Sequence, residues 1–167
     1  MEKELLELLN QAFELTEDGQ YDKALLCYEK ILKKEPKNIH ALIDAGVTLQ
    51  NLGKLKESRI YYDKALKINP NNLDAIINKA SVLHSLKKFN DAISLYDKAL
   101  SIDDQCAIAL AYKGLSLGEL DKIQEALECF KKALEIDNEY DLAALSKNKA
   151  KEILKSKIKE LQLSKKL

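Results

Sequence analysis

The sequence contains no tryptophan, one methionine, two prolines and five glycines in 167 residues. With so few chain breakers and no serine- or glycine-rich tract, nothing in it reads as a flexible linker. The glycines are scattered, so a glycine-rich phosphate loop is excluded. The only histidines, His40 and His84, stand at different phases and join no set of metal ligands, which leaves them as ordinary groove-lining residues. Cys27, Cys106 and Cys129 are odd in number and form no CxxC pair. Cys27 and Cys129 share one phase of a repeat but lie three units apart, too far for a disulfide, so the cysteines read as small hydrophobes.

Long apolar runs are also missing. No segment approaches the roughly 20 apolar residues of a membrane span. The start, "MEKELLELLNQ", has acids in its first turns and lacks the apolar stretch of a secretory signal. These absences lead us to expect a soluble, cytoplasmic protein that enters no membrane. Net charge is absent too: 27 basic and 27 acidic residues cancel. That balance argues against a nucleic-acid or anionic-lipid surface over the body of the protein. One asymmetry survives, because residues 141–167 hold eight lysines and three acids, a charge of 8 − 3 = +5.

What the chain does contain is the same phrase four times. "GQYDKALLCYEKILKKEPKN" is followed at a 34-residue spacing by "GKLKESRIYYDKALKINPNN", "KKFNDAISLYDKALSIDDQC" and "DKIQEALECFKKALEIDNEY". A fixed period of this length is the mark of a repeat array. The units are 5–38, 39–72, 73–106 and 107–140, without insertions, in a single domain spanning 1–167. Position 8 is always small (Ala12, Gly46, Ala80, Gly114), position 20 nearly so (Ala24, Ser58, Ala92, Ala126), and position 24 always aromatic (Tyr28, Tyr62, Tyr96, Phe130). Spacings of three and four put the apolar residues on one face of each of two helices. Gly19 and Gly53 mark the end of the first helix, and Pro36 and Pro70 stop the second. Asp104 and Asn138 take the place of proline in the later units as weaker stops.

Each unit is thus a helix–turn–helix, and the series resembles the tetratricopeptide repeats over residues 5–140. The expected fold is all-α: a right-handed superhelical array of hairpins whose first helices line a concave face. A helical hairpin cannot bury its apolar stripe alone, so the units must stack. Residues 141–167 keep the phase of a fifth first helix, with Ala144 at position 4 and Asn148 at position 8, but show no second helix. We expect a capping helix over about 141–161 followed by a short basic tail. Its apolar side is expected to be Leu142, Leu145, Ala150, Ile153, Leu154, Ile158 and Leu161.

No catalytic constellation accompanies this scaffold. Acid pairs such as Glu17/Asp18 and Asp103/Asp104 fall at helix ends, where solvated caps account for them. Tyr28, Tyr62 and Tyr96 fall on the inter-helix position and read as core. We therefore expect no enzyme, no cofactor and no metal. The resemblance instead implies a peptide-binding groove presented by positions 2, 5, 9, 12 and 13. Its candidate residues are Leu6, Leu9, Phe13, His40, Ile43, Val47, Asp74, Ile77, Ser81, His84, Ile108 and Leu115. Similar repeats that grip acidic peptide tails carry basic and amide groups where this chain has Leu9, Phe13, Asp44, Asp74 and Asn78. Two carboxylates there exclude that ligand. The expected function is a protein–protein scaffold that takes an apolar or amphipathic segment of a partner. The second reading is self-association, with the groove of one copy holding the C-terminal helix of another to give a homo-oligomer.

Overall fold

Apolar residues at helical spacing, with breakers every 17 or so residues, give helices and short joints throughout. The computed structural model describes the backbone of residues 2–164 and the side chains of residues 3–156. Among the described residues the order is α1 (Glu2–Glu17), α2 (Tyr21–Lys34), α3 (Ile39–Asn51), α4 (Leu55–Ile68), α5 (Leu73–Ser85), α6 (Phe89–Ile102), α7 (Ala107–Glu119), α8 (Ile123–Ile136) and α9 (Asp141–Ser164), with no strand. Helices α3, α5, α7 and α9 begin at residues 39, 73, 107 and 141, each 34 after the last. The fold is an all-helical repeat array. Helix α9 continues to Ser164, about one turn beyond the end expected at residue 161.

The joints follow from local chemistry. After α3, Gly53 takes a φ of 73°, its N–H donates to Gln50 O, and the N–H of Lys54 donates back to Leu49 O at 2.8 Å. This left-handed cap closes the orphan carbonyls of the helix end. The same geometry recurs at Gly19, with φ 70°. It also recurs where no glycine stands, at Lys87 (φ 59°) and Asp121 (φ 64°). The second joint is closed differently. Asn69, Asp103 and Asp137 each accept, through a side-chain Oδ1, the N–H two residues on, at 3.0–3.1 Å. These turns set the bend whether or not a proline follows. Asn38 and Asn72 then cap α3 and α5 by accepting the N–H of Ala41 and Ala75.

Two compact units divide the chain, Met1–Leu86 and Lys87–Leu167. In the first, α1 packs on α2, α2 on α3, α3 on α4, and α4 and α3 on α5. Its tightest point lies between α3 and α4. A Cβ built on Gly46 would stand 2.6 Å from the ring of Tyr62, which is fully buried. The Tyr62 hydroxyl keeps its bond by donating to Gln50 Oε1. Successive hairpins meet through a second set of small residues. Ala41 and Ala45 of α3 share a cluster with Ala24, Cys27, Tyr28 and Ile31 of α2. Lys79 of α5 pairs with Asp63 of α4 at 2.6 Å.

The second unit repeats this plan with α6 on α7, α7 on α8, and α9 on both α8 and α7. Gly114 faces Phe130 as Gly46 faces Tyr62, again with 2.6 Å to an added Cβ. Lys113 pairs with Asp97 at 2.6 Å, 34 residues on from the pair in the first unit. Both pairs are partly exposed, so each adds at most ~1 kcal/mol and serves mainly to fix the register between helices. Helix α9 covers the unit with Ala143 and Ala150, both buried, and with Leu154 against the cluster of Leu127, Cys129 and Phe130. Leu145, expected on this packing side, is instead 71% exposed.

Two predictions follow the backbone and packing geometry. Gly46→Ala should cost about 1–3 kcal/mol by overpacking, less at most ~1 kcal/mol of helix propensity, and so should lower the urea midpoint. A Cβ at Gly118 meets nothing within 4 Å, so Gly118→Ala should stabilise by ~0.5–1 kcal/mol. Urea melts giving both substitutions the same sign would refute this packing. At the joint, Lys87→Gly should stabilise by about 0.5–1 kcal/mol and so raise the urea midpoint, because it removes a left-handed penalty of ~1–2 kcal/mol against a smaller entropy cost. A loss of stability in the same melts would contradict the assigned backbone.

Candidate functional site

Once positions 8, 20, 24 and 27 (Ile31, Ala65, Ala99 and Ala133 at the last) are committed to packing, the first helices keep one side that the second helices do not cover. In the first unit this side belongs to α1, α3 and α5. Its largest open groups are Leu6 and Phe13 on α1, 59% and 64% exposed. They are seven residues apart, two helical turns on one stripe. Leu9, Val47, Ile77, Ser81 and His84 are half-buried, whereas His40 and Asp74 are exposed.

Ile43 departs from expectation. It is 8% exposed and packed with Leu42, Tyr62, Ala65, Ala75 and Val82. The cause is general to its position. Ile43 on α3 is covered because α5 packs next to it, and Ala111 on α7 is covered by Ala143 of α9 in the same way. Leu145 holds the same register on α9, and its exposure adds it to the candidate residues of the second unit. There it joins Ile108, 48% exposed, and Leu115, half-buried against the Leu117–Phe130 cluster. The period contained this signal, since Leu145 follows Ala111 by 34 residues.

The polar part of the first-unit face centres on Asp44. Its carboxyl is half-buried, and no lysine or arginine among the described residues pairs with it or with Asp74. Burial raises its pKa above the usual aspartate range; the charge of His40 opposes the shift and that of Asp74 adds to it. Neighbouring Tyr62 is also pushed well up, by burial first. The arrangement offers apolar contact area and uncompensated negative charge, but no nucleophile with a base. Among the described residues no cluster of His, Cys, Asp or Glu could hold a metal, and no helix is long and apolar enough to cross a membrane.

An all-helical repeat array with one uncovered side on its first helices defines the class of fold. A tetratricopeptide repeat family model matches residues 71–139, and the model for anaphase-promoting complex, cyclosome, subunit 3 matches residues 17–99. The chain is a tetratricopeptide repeat protein. Comparison with curated proteins finds no match. Among solved structures, MamA from Desulfovibrio magneticus RS-1 aligns with a TM-score of 0.74 and 22% identity, over 96% of each chain. A tetratricopeptide repeat protein from Parabacteroides merdae gives 0.74 and 26%, over 86% of this chain and 57% of that one. The first repeat domain of Spaghetti (RPAP3), bound to the HSP90 peptide SRMEEVD, gives 0.67 and 26%, over 70% and 92%. No enzyme family is indicated.

The raised pKa of Asp44 makes stability pH-dependent in a defined direction. A carboxyl whose folded pKa lies above its unfolded value keeps its proton more readily in the folded state, so its contribution falls as pH rises through that range. Asp44→Asn should therefore raise the melting temperature at pH 7–8. The advantage should shrink towards pH 3, where both forms are neutral. Equal melting temperatures for the two proteins across this range would show that Asp44 is not desolvated.

Proposed function

We propose that this chain is a non-catalytic scaffold that holds an apolar or amphipathic segment of another protein against the α1–α3–α5 face. The observation that carries the reading is the open stripe of Leu6 and Phe13, with the half-buried Leu9 between them on the same helix. Apolar side chains grouped on one helix side in this way mark partner surfaces in soluble proteins. Anchors one and two turns apart suit an amphipathic helix laid across them. The Spaghetti domain, similar in fold, is bound to a peptide with the acidic residues of SRMEEVD. Asp44 and Asp74 would repel such a ligand, which supports a neutral or basic segment here.

Phe13→Asp tests the reading, because Phe13 is 64% exposed and its replacement leaves the core untouched. The charge would have to lose its water on docking, at a cost large enough to abolish binding. Affinity capture from the native cell should retrieve a partner with the wild-type chain and lose it with Phe13→Asp, at unchanged helicity by circular dichroism. Ile43→Glu is no substitute, since a buried charge at Ile43 would unfold the unit. Capture of the same proteins by Phe13→Asp would refute the assigned face.

A further inference from the structure

Three features outside the packing scheme bear on what occupies this face. Asp44 and Asp74 put two carboxylates close enough on this face to couple, and no lysine or arginine among the described residues pairs with either. Residues 141–167 carry the opposite charge, +5, from eight lysines against three acids. The third feature is a stripe. Leu154 is half-buried on the Leu127–Phe130 cluster of the second unit, and the sequence continues its spacing with Ile158 and Leu161, four and seven residues later. The backbone remains helical to Ser164. The side chains of Ile158 and Leu161, expected from sequence to continue the apolar side of the capping helix, lie outside the described residues.

We propose that the C-terminal part of α9, residues 155–164, docks on the α1–α3–α5 face of a second copy of this chain. The inference rests on the partner-binding reading of that face and names its occupant. By sequence the segment offers Ile158 and Leu161 for the stripe of Leu6 and Phe13, and lysines at 155, 157 and 159 for Asp44 and Asp74. Complementary apolar and charged patterns on one chain make a heterologous contact. Reciprocal exchange closes it as a dimer, and one-way exchange leaves an open chain. Desolvated apolar contact supplies the affinity, while the opposite charges steer the two surfaces and make the association sensitive to salt.

The test uses the full chain in three forms: wild type, a face variant (Phe13→Lys with Asp74→Lys) and a tail variant (Ile158→Asp with Leu161→Asp). Both face positions are exposed, so that variant keeps its core. By light scattering at about 100 µM and low salt, a range that populates even small interfaces, wild type should exceed the 18.9 kDa monomer. The association should weaken at least tenfold in 0.5 M salt. Each variant alone should be monomeric with wild-type helicity. Mixed one to one, they should recover a heterodimer, because each supplies the surface the other lacks. A monomeric wild type, a tail variant that associates as well as wild type, or a mixture that stays monomeric would overturn the proposal. If wild type is monomeric while Phe13→Asp still loses its captured partner, the face keeps its role and only the tail is excluded as occupant.

Discussion

The fold depends on how closely two helices of a hairpin can approach. Gly46 against Tyr62 and Gly114 against Phe130 leave no room for a β-carbon, and the aromatic ring occupies the space that a side chain would otherwise fill. Each ring, fully buried, contributes on the order of 1.5–3 kcal/mol of apolar transfer, but only if the small residue faces it. In the first hairpin the small residue is Ala12, buried in one cluster with Tyr28. This coupling of one small and one large residue, sixteen positions apart, forces the 34-residue phase on everything else. The joints, the caps and the inter-hairpin alanines must all fall where that crossing allows.

Much of this was legible because the crossing constrains residue size. The series at positions 8, 20, 24 and 27 was apparent from size alone, and each described member is buried. A second series was less visible. Ala41, Ala75, Ala109 and Ala143 are all fully buried, as are Thr48, Val82 and Ser116, nearly to the same degree. They join each hairpin to the one before it. Their residue types vary among alanine, threonine, valine and serine, so no single composition announces them. The first helix gives the clearest clue, because Glu7 and Glu14 stand at the corresponding positions and are exposed. The opposite end shows the same logic, with Asn148 and Lys151 exposed where interior first helices carry packing residues.

The joints illustrate a different limit. Glycine and proline drew attention to two of the four repeats, yet the later joints have the same shape without them. Lys87 and Asp121 accept a left-handed backbone, and Asp103 and Asp137 close their turns through side-chain hydrogen bonds. Tertiary packing imposes the turn, and the local residue only sets how much strain remains. A reading based on breakers alone therefore locates the joints but misjudges which of them are relaxed.

The candidate face was the least legible part, for a reason that follows from stacking. Leu9, Ile43, Ile77, Ala111 and Leu145 share one register and are all apolar, so hydrophobicity cannot sort them. Their exposure runs from fully buried at Ala111 to 71% at Leu145, according to whether another first helix packs alongside. The register that one helix uses for core becomes surface on a helix that lacks this neighbour. Phe13 shows the consequence at the other end, since position 9 is freer of neighbours and a large aromatic there serves no packing need. A scaffold can thus vary positions 2 and 9 without disturbing positions 8 and 24. Side-chain choice is free where the crossing constraint is silent, and the exposed phenylalanine of α1 is a part of this chain that stability does not explain.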